Sequence, residues 1–324
     1  MITRRRFGSV ATGVLGAALL SPRPRHAAGQ GGEPEGKIAF IKDGDIWEWS
    51  SQDGAQPIVE DGNAMDPTWN PRGNILLYAR DGGSFSDLIQ ANPRTGNLRR
   101  LTDNESPEEP GSPEYVSGCS WAIDPCWSAA DIVCYVSDAA SEFGEMELWI
   151  LDPDNGEAYV APDDGNEQGP VESVSVDASA VYAVYTVLAA GGEEGGTTYV
   201  SMRDLNVGTT YPLIEGPMGA YDPAISPDGA WVVASIRDEA GTSDLWLLNR
   251  VEETLVRLTE GEEASNATWS PDGDWIAYLR WEGSGFELKA FPIDPAAGER
   301  IGEAKRLADA DSISATSRLS WANL

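Results

Sequence analysis

Three times the chain writes the same turn: Trp69-Asn-Pro-Arg-Gly73, Ile225-Ser-Pro-Asp-Gly229 and Trp269-Ser-Pro-Asp-Gly273. Each copy joins a short run ending in Trp or Ile to a β-prone run (Asn74 to Ala79, Ala230 to Ser235, Asp274 to Leu279), so each reads as a tight hairpin. A repeated hairpin implies a repeated unit, and this constrains the architecture before any site is considered.

Aligned on that turn, a four-stranded unit recurs. One copy runs Asp66 to Trp69, Ile75 to Tyr78, Asp87 to Ala91 and Leu98 to Thr102. The next runs Asp124 to Trp127, Ile132 to Val136, Glu147 to Leu151 and Glu157 to Val160, and two later copies begin at Asp222 and Asn266. A degenerate copy that has lost the turn residues covers Ser173 to Val176, Val181 to Thr186, Thr198 to Arg203 and Thr210 to Ile214. Successive inner-strand positions Trp69, Trp127, Val176, Ile225 and Trp269 are 58, 49, 49 and 44 residues apart, a period that belongs to propeller blades. The first copy supplies only strands two to four, within Lys37 to Val59, and its missing inner strand is found at Ser317 to Trp321. The fold expected is therefore all-β: a six-bladed β-propeller of four-stranded antiparallel blades, closed by the C-terminal strand completing the first blade.

The Asp-Pro-x-Trp-Ser-Pro-Asp-Gly line, the Asp244-Leu-Trp-Leu strand and the Leu-Thr blade ends resemble the PD40, or TolB-like, β-propeller repeat family across nearly all of residues 37 to 324. The resemblance implies the fold. The motif is structural, so function has to be sought in the loops. Only about eight residues separate the leader from the first strand, too few for the N-terminal α/β domain of TolB itself.

Residues 1–28 carry five arginines and no acid: Arg4, Arg5 and Arg6 precede Phe7, then a weakly apolar run from Val10 to Leu20, then Arg23 and Arg25. This pattern is expected of a twin-arginine signal peptide, followed by a linker at 29–36 and the propeller at 37–324, in a periplasmic, extracellular or cell-surface protein. No other stretch is long and apolar enough to span a membrane. The formal net charge is −31, and removing the five leader arginines leaves −36, which excludes nucleic acid as a natural partner.

The one histidine, His26, lies in the leader. A mature chain without imidazole has no Ser-His-Asp or Cys-His machinery and no imidazole-bound zinc, iron or copper, and no Gly-x-Ser-x-Gly is present. Cys119, Cys126 and Cys134 lie close in sequence. Were two of them bridged in an exported chain, Cys119 with Cys126 would tie a long loop to a strand.

The loops leading into the inner strands are acidic almost throughout, and include Glu60 to Asp66, Asp103 to Asp124 and Asp309 to Asp311. Three residues before each inner-strand Trp, Ile or Val stand Asp66, Asp124, Ser173, Asp222, Asn266 and Arg318, expected to form a polar ring at the channel mouth. Two readings stay open for it. Asp66, Asp124 and Asp222 could hold a hard cation such as Ca²⁺ or a ligand's cationic group, or they could cap strand starts by accepting nearby backbone N–H bonds. Trp121 and Trp281 lie in or beside loops, where exposed aromatics point to carbohydrate or peptide recognition. The function expected is a monomeric, non-catalytic binding or scaffold propeller that recognises a protein, peptide or glycan through Asp66, Asp124, Asp222, Asn266, Arg318 and Trp121. The alternative is a carboxylate- or Ca²⁺-dependent glycan hydrolase or lactonase-like enzyme at the same mouth.

Overall fold

A computed structural model describes residues 32–141, 144–166, 169–189, 197–309 and 313–324. The expected leader, and Asp311 of the last acidic loop, lie outside the described residues. The chain forms six antiparallel sheets, each an up-and-down meander from the channel outward. In blade two the strands are Ala64–Trp69, Leu76–Asp81, Ser86–Asn92 and Asn97–Arg100. Blades three, four and five repeat the order, with inner strands Ala122–Trp127, Val171–Val176 and Ala220–Ile225. Blade six, from Ala264–Trp269, adds a two-residue strand, Glu299–Arg300, between its third and fourth strands. Ser320–Ala322 pairs antiparallel with Lys37–Lys42 and supplies the inner strand of blade one, so the two ends of the chain share a sheet.

The apolar core is divided among the six blade interfaces. Along the second strand of blade two, Leu76 and Tyr78 pack toward blade one, while Leu77 and Ala79 pack toward blade three. Period-two alternation thus explains why the middle strands read as unbroken apolar runs: both faces are buried. Ile38 and Phe40 likewise face blade six, and Ala39 and Ile41 face blade two, so the terminal blade is held from both sides.

The repeat motifs have local mechanical roles. In the Ser-Pro-Asp-Gly turns, Ser226 Oγ accepts the Trp231 N–H (3.0 Å) and Ser270 Oγ accepts the Trp275 N–H (2.9 Å), with Gly229 and Gly273 at φ 71° and 81°. The degenerate copies keep this geometry with other atoms. Asp177 Oδ1 accepts the Val181 and Tyr182 N–H groups in blade four, and Asp131 and Ala180 take the left-handed place of the glycine at φ 64° and 54°. The Asp-Leu and Leu-Thr ends form a clasp: Thr259 Oγ1 donates to Asp244 Oδ1 (2.8 Å) and accepts the Leu245 N–H (2.9 Å), and Thr102 does the same with Asp87 and Leu88.

Ala180 bears a Cβ in a conformation that costs an L-residue about 1–2 kcal/mol. Glycine's extra unfolded-chain entropy returns about 0.5–1 kcal/mol of that. Ala180→Gly is therefore expected to stabilise the fold by about 0.5–1 kcal/mol, a rise of roughly 1–2 °C in Tm by differential scanning calorimetry. A fall in Tm would refute the left-handed turn.

Candidate functional site

Five inner strands begin with the same distortion. Asp66, Asp124, Ser173, Asp222 and Asn266 have φ of 48°, 51°, 55°, 52° and 51°, and around each the pairing with the second strand slips. Pro67, Pro125 and Pro223 follow three of them and have no N–H to give to a ladder, and Asp and Asn tolerate the left-handed region better than most residues. The bulge leaves its own N–H free for the neighbouring blade.

Those N–H groups meet carboxylates. The Asp124 N–H donates to Asp66 Oδ2 (3.4 Å), the Ser173 N–H to Asp124 Oδ2 (2.8 Å) and the Asn266 N–H to the Asp222 carboxylate. Blade four carries a serine in place of the acid, and Thr186 Oγ1 takes the Asp222 N–H there (3.2 Å), while Ser173 Oγ donates to Asp222 Oδ1 (3.0 Å). The Asn266 amide closes on the Ala315 carbonyl (3.0 Å). The Asp side chains thus do cap backbone N–H groups, but those of the next blade.

A second circle runs further along, its acceptors two residues and its donors three residues beyond the ring positions. The N–H of Trp69 donates to Ser320 Oγ (2.9 Å), that of Trp127 to Thr68 Oγ1 (3.2 Å), that of Val176 to Cys126 Sγ (3.4 Å) and that of Ile225 to Ser175 Oγ (3.2 Å). Cys126 occupies a hydroxyl's place in this circle. All three cysteines are free, so the pairing that a bridge would have favoured, Cys119 with Cys126, is not formed: Cys119 ends the short helix Pro113–Gly118, and Cys126 pairs across the sheet with Cys134. Burial raises both the Cys126 and Cys134 thiols, leaving them as thiols rather than nucleophilic thiolates.

Arg318 precedes the closing strand and places Nη1 3.8 Å from Asp124 Oδ1; that nitrogen is buried without a hydrogen bond. Enclosure in the channel, and next the charge of Asp124, push the Asp66 carboxyl up to about 8 against the pull of Arg318. Enclosure also raises Asp222, and together with Asp124 and Asp222 it raises Glu172. Among the described residues no group of three or more His, Cys, Asp or Glu side chains gathers at metal-binding geometry. The ring oxygens are directed at backbone N–H groups, and Arg318 brings the positive charge.

Beside this ring, between blades five and six, a cavity of about 280 Å³ opens on the face where the inner strands begin. Asp222 and Asn266 of the ring line it, together with Tyr221, Arg237, Glu263, Trp281 and Phe286. Asp66, Asp124, Arg318 and Trp121 do not line it. Trp121 is half-buried, its N–H donating to Asp138 Oδ1 (2.7 Å), at the end of an acidic loop that the helix Pro113–Gly118 and the buried Tyr115 hold in place. Trp281 is 43% exposed, with Phe286 tilted against it at 5.1 Å between ring centroids. The pattern of the repeat passed over Tyr221, Arg237 and Phe286. They occupy strand ends, where the blades differ from one another.

No protein-family model matches the sequence. The fold is shared with TolB from Acinetobacter baumannii, at 14% identity over 89% of this chain and 67% of that one, with a TM-score of 0.66. A TolB-like protein of Agrobacterium tumefaciens is 12% identical over 90% of this chain and 100% of its own, with a TM-score of 0.62. A chain of the nidogen/laminin complex is 9% identical over 88% and 97%, also at 0.62. At these identities the likeness is one of fold.

An Asp whose folded pKa is raised from 3.8 to about 8 binds more protons in the folded than in the unfolded state between those values. Its contribution to stability is full below pH 3.8 and is lost as the pH rises through about 8, and the upward shifts of Asp222 and Glu172 act in the same sense. Asp66→Asn keeps a residue suited to φ 48° and removes the titration. The variant is expected to lose part of the fall in Tm that the native chain shows between about pH 5 and about pH 8.5. Parallel Tm profiles for the two proteins would show that Asp66 is ionised throughout.

Proposed function

We propose that the protein is an exported, non-catalytic binding propeller whose channel face recognises a protein, peptide or glycan of the cell envelope. One observation carries this reading: the channel carboxylates are engaged as acceptors for neighbouring N–H groups and Arg318, while the face beside them keeps an exposed aromatic cavity. A ring so occupied is a structural seal, and a concave, partly apolar site with a few polar groups is the usual form of a binding site. The propeller fold shared with TolB and the nidogen/laminin chain is consistent with it. No helix among the described residues is long and apolar enough to cross a membrane, and export by the twin-arginine route rests on residues 1–28 alone.

A second reading, a carboxylate-dependent glycan-active or lactonase-like enzyme, is favoured by Asp66. A carboxyl still protonated near neutrality at the channel centre has the proton state of a general acid. A Ca²⁺-dependent form of it would place the ion among Asp66, Asp124 and Asp222, where Arg318 already supplies a counter-charge.

The two readings separate in binding and melting experiments. Glu263→Lys reverses a charge on the cavity rim, and Glu252→Lys reverses one at the other end of blade five, in the turn between its third and fourth strands. Immobilised native protein is expected to retain a component of fractionated envelope material that Glu263→Lys loses and Glu252→Lys keeps. Equal retention by all three would refute recognition through this face. EDTA and added Ca²⁺ are expected to leave Tm unchanged; a rise with Ca²⁺ that Asp66→Asn abolishes would replace this reading with the metal-dependent one.

A further inference from the structure

The cavity between blades five and six is a mixture that few ligands satisfy. Its apolar wall is Trp281, 43% exposed, with Phe286 tilted against it. Facing it, the Arg237 guanidinium lies over the Tyr221 ring at 5.5 Å, and the Tyr221 hydroxyl donates to Ser243 Oγ (2.8 Å), which in turn donates to the Ala264 carbonyl (3.1 Å). Tyr221 is therefore held from its far end, and it holds Arg237. Arg237 makes no ion pair among the described residues, although the chain carries 53 acidic residues against 22 basic ones. The guanidinium is solvent-exposed, stacked on Tyr221 and part of the cavity lining, so its N–H groups are available to a ligand. Glu263, Asp222 and the Asn266 side-chain oxygen supply acceptors around it.

Charge narrows the choice. A cationic side chain would meet Arg237, and an anionic group would meet Glu263 and Asp222. A Phe or aliphatic side chain of a peptide could stack on Trp281, but it would strip water from Arg237, Glu263 and Asn266 and return no hydrogen bonds. A neutral ring with hydroxyls on its edge and C–H bonds on its face meets every requirement. The face lies on Trp281, and the hydroxyls donate to the Glu263 carboxylate and the Asn266 side-chain oxygen and accept from Arg237. The volume, about 280 Å³, is at the lower end of small-molecule sites, which run from about 300 Å³ upward, and holds one such ring while its neighbours lie across the open rim.

We infer that this cavity is a subsite for one neutral pyranose unit of an oligosaccharide, with Trp281 as the stacking platform and Arg237, positioned by Tyr221, as the principal hydroxyl-binding donor. The inference rests on the binding reading above and selects glycan from among its three ligand classes.

The full chain is titrated calorimetrically with four neutral tetrasaccharides (of glucose in α- and β-linkage, of xylose and of N-acetylglucosamine), with tetragalacturonate, and with a Lys-rich and a Phe-containing peptide. At least one neutral tetrasaccharide is expected to bind saturably, with affinity lowered about tenfold or more by Trp281→Ala and several-fold by Arg237→Ala, at unchanged Tm. Arg237→Lys is expected to restore binding only in part, since an ammonium stacks poorly on Tyr221. Binding of the uronate or a peptide in place of the neutral sugars, no binding of any neutral sugar, or an affinity that Trp281→Ala leaves untouched would each overturn the inference. A peptide that binds at Trp281 would overturn it while leaving the binding function standing, whereas retention of envelope material indifferent to Glu263→Lys would remove the binding function itself.

Discussion

Inner strands of neighbouring blades line one channel side by side, yet hydrogen-bonded ladders exist only within a blade. Each inner strand would leave polar backbone groups facing a narrow, water-poor space, where an unpaired group costs on the order of 1–3 kcal/mol. The left-handed bulge answers this at four blades, those that carry Asp124, Ser173, Asp222 and Asn266. It turns one N–H out of its own sheet, and the side chain at the equivalent place in the preceding blade, or Thr186 where that side chain is too short, accepts it. The second circle, made by Ser320, Thr68, Cys126 and Ser175, repeats the device two residues on. Both circles depend on closure of the ring by the C-terminal strand, because Ser320 and Arg318 come from that segment.

The same arrangement accounts for the electrostatics. Three carboxylates from different blades converge on one channel because each serves the next blade's backbone, and their mutual repulsion follows from that service. One guanidinium and a shared tendency to hold protons relieve it. The result is an interior ring that is acidic in composition but largely committed to holding the fold. The exposed chemistry lies to one side, where blades five and six diverge from the repeat in their strand ends.

Much of this was legible in the sequence. The six-bladed ring, the shared first blade and the six ring positions could be read because the turn repeats and because side-chain period fixes which residues face the channel. Five of the six positions named from the register have a left-handed φ, and the sixth, Arg318, reaches the ring through its guanidinium. Less legible was what the ring residues bond to. An Asp before a strand reads as a local cap, and only the closed ring brings the next blade's N–H nearer than its own. Cys126 shows the same limit: its neighbours in sequence suggested a bridge, and its place in a circle of hydroxyl acceptors appears only when blade four is packed against it.

By itself, then, the sequence determined the architecture, since repetition and β-alternation are local properties summed along a chain. That the chain holds a single histidine, His26, ahead of the propeller is likewise a matter of composition. Tertiary structure alone decided where an open site lies. Arg237, Glu263 and Trp281 are separated by loops in the chain and repeat in no other blade, and they become neighbours because two adjacent blades turn their strand ends toward one gap. Proximity across a blade interface is set by the closing of the ring, and no period in the sequence records it.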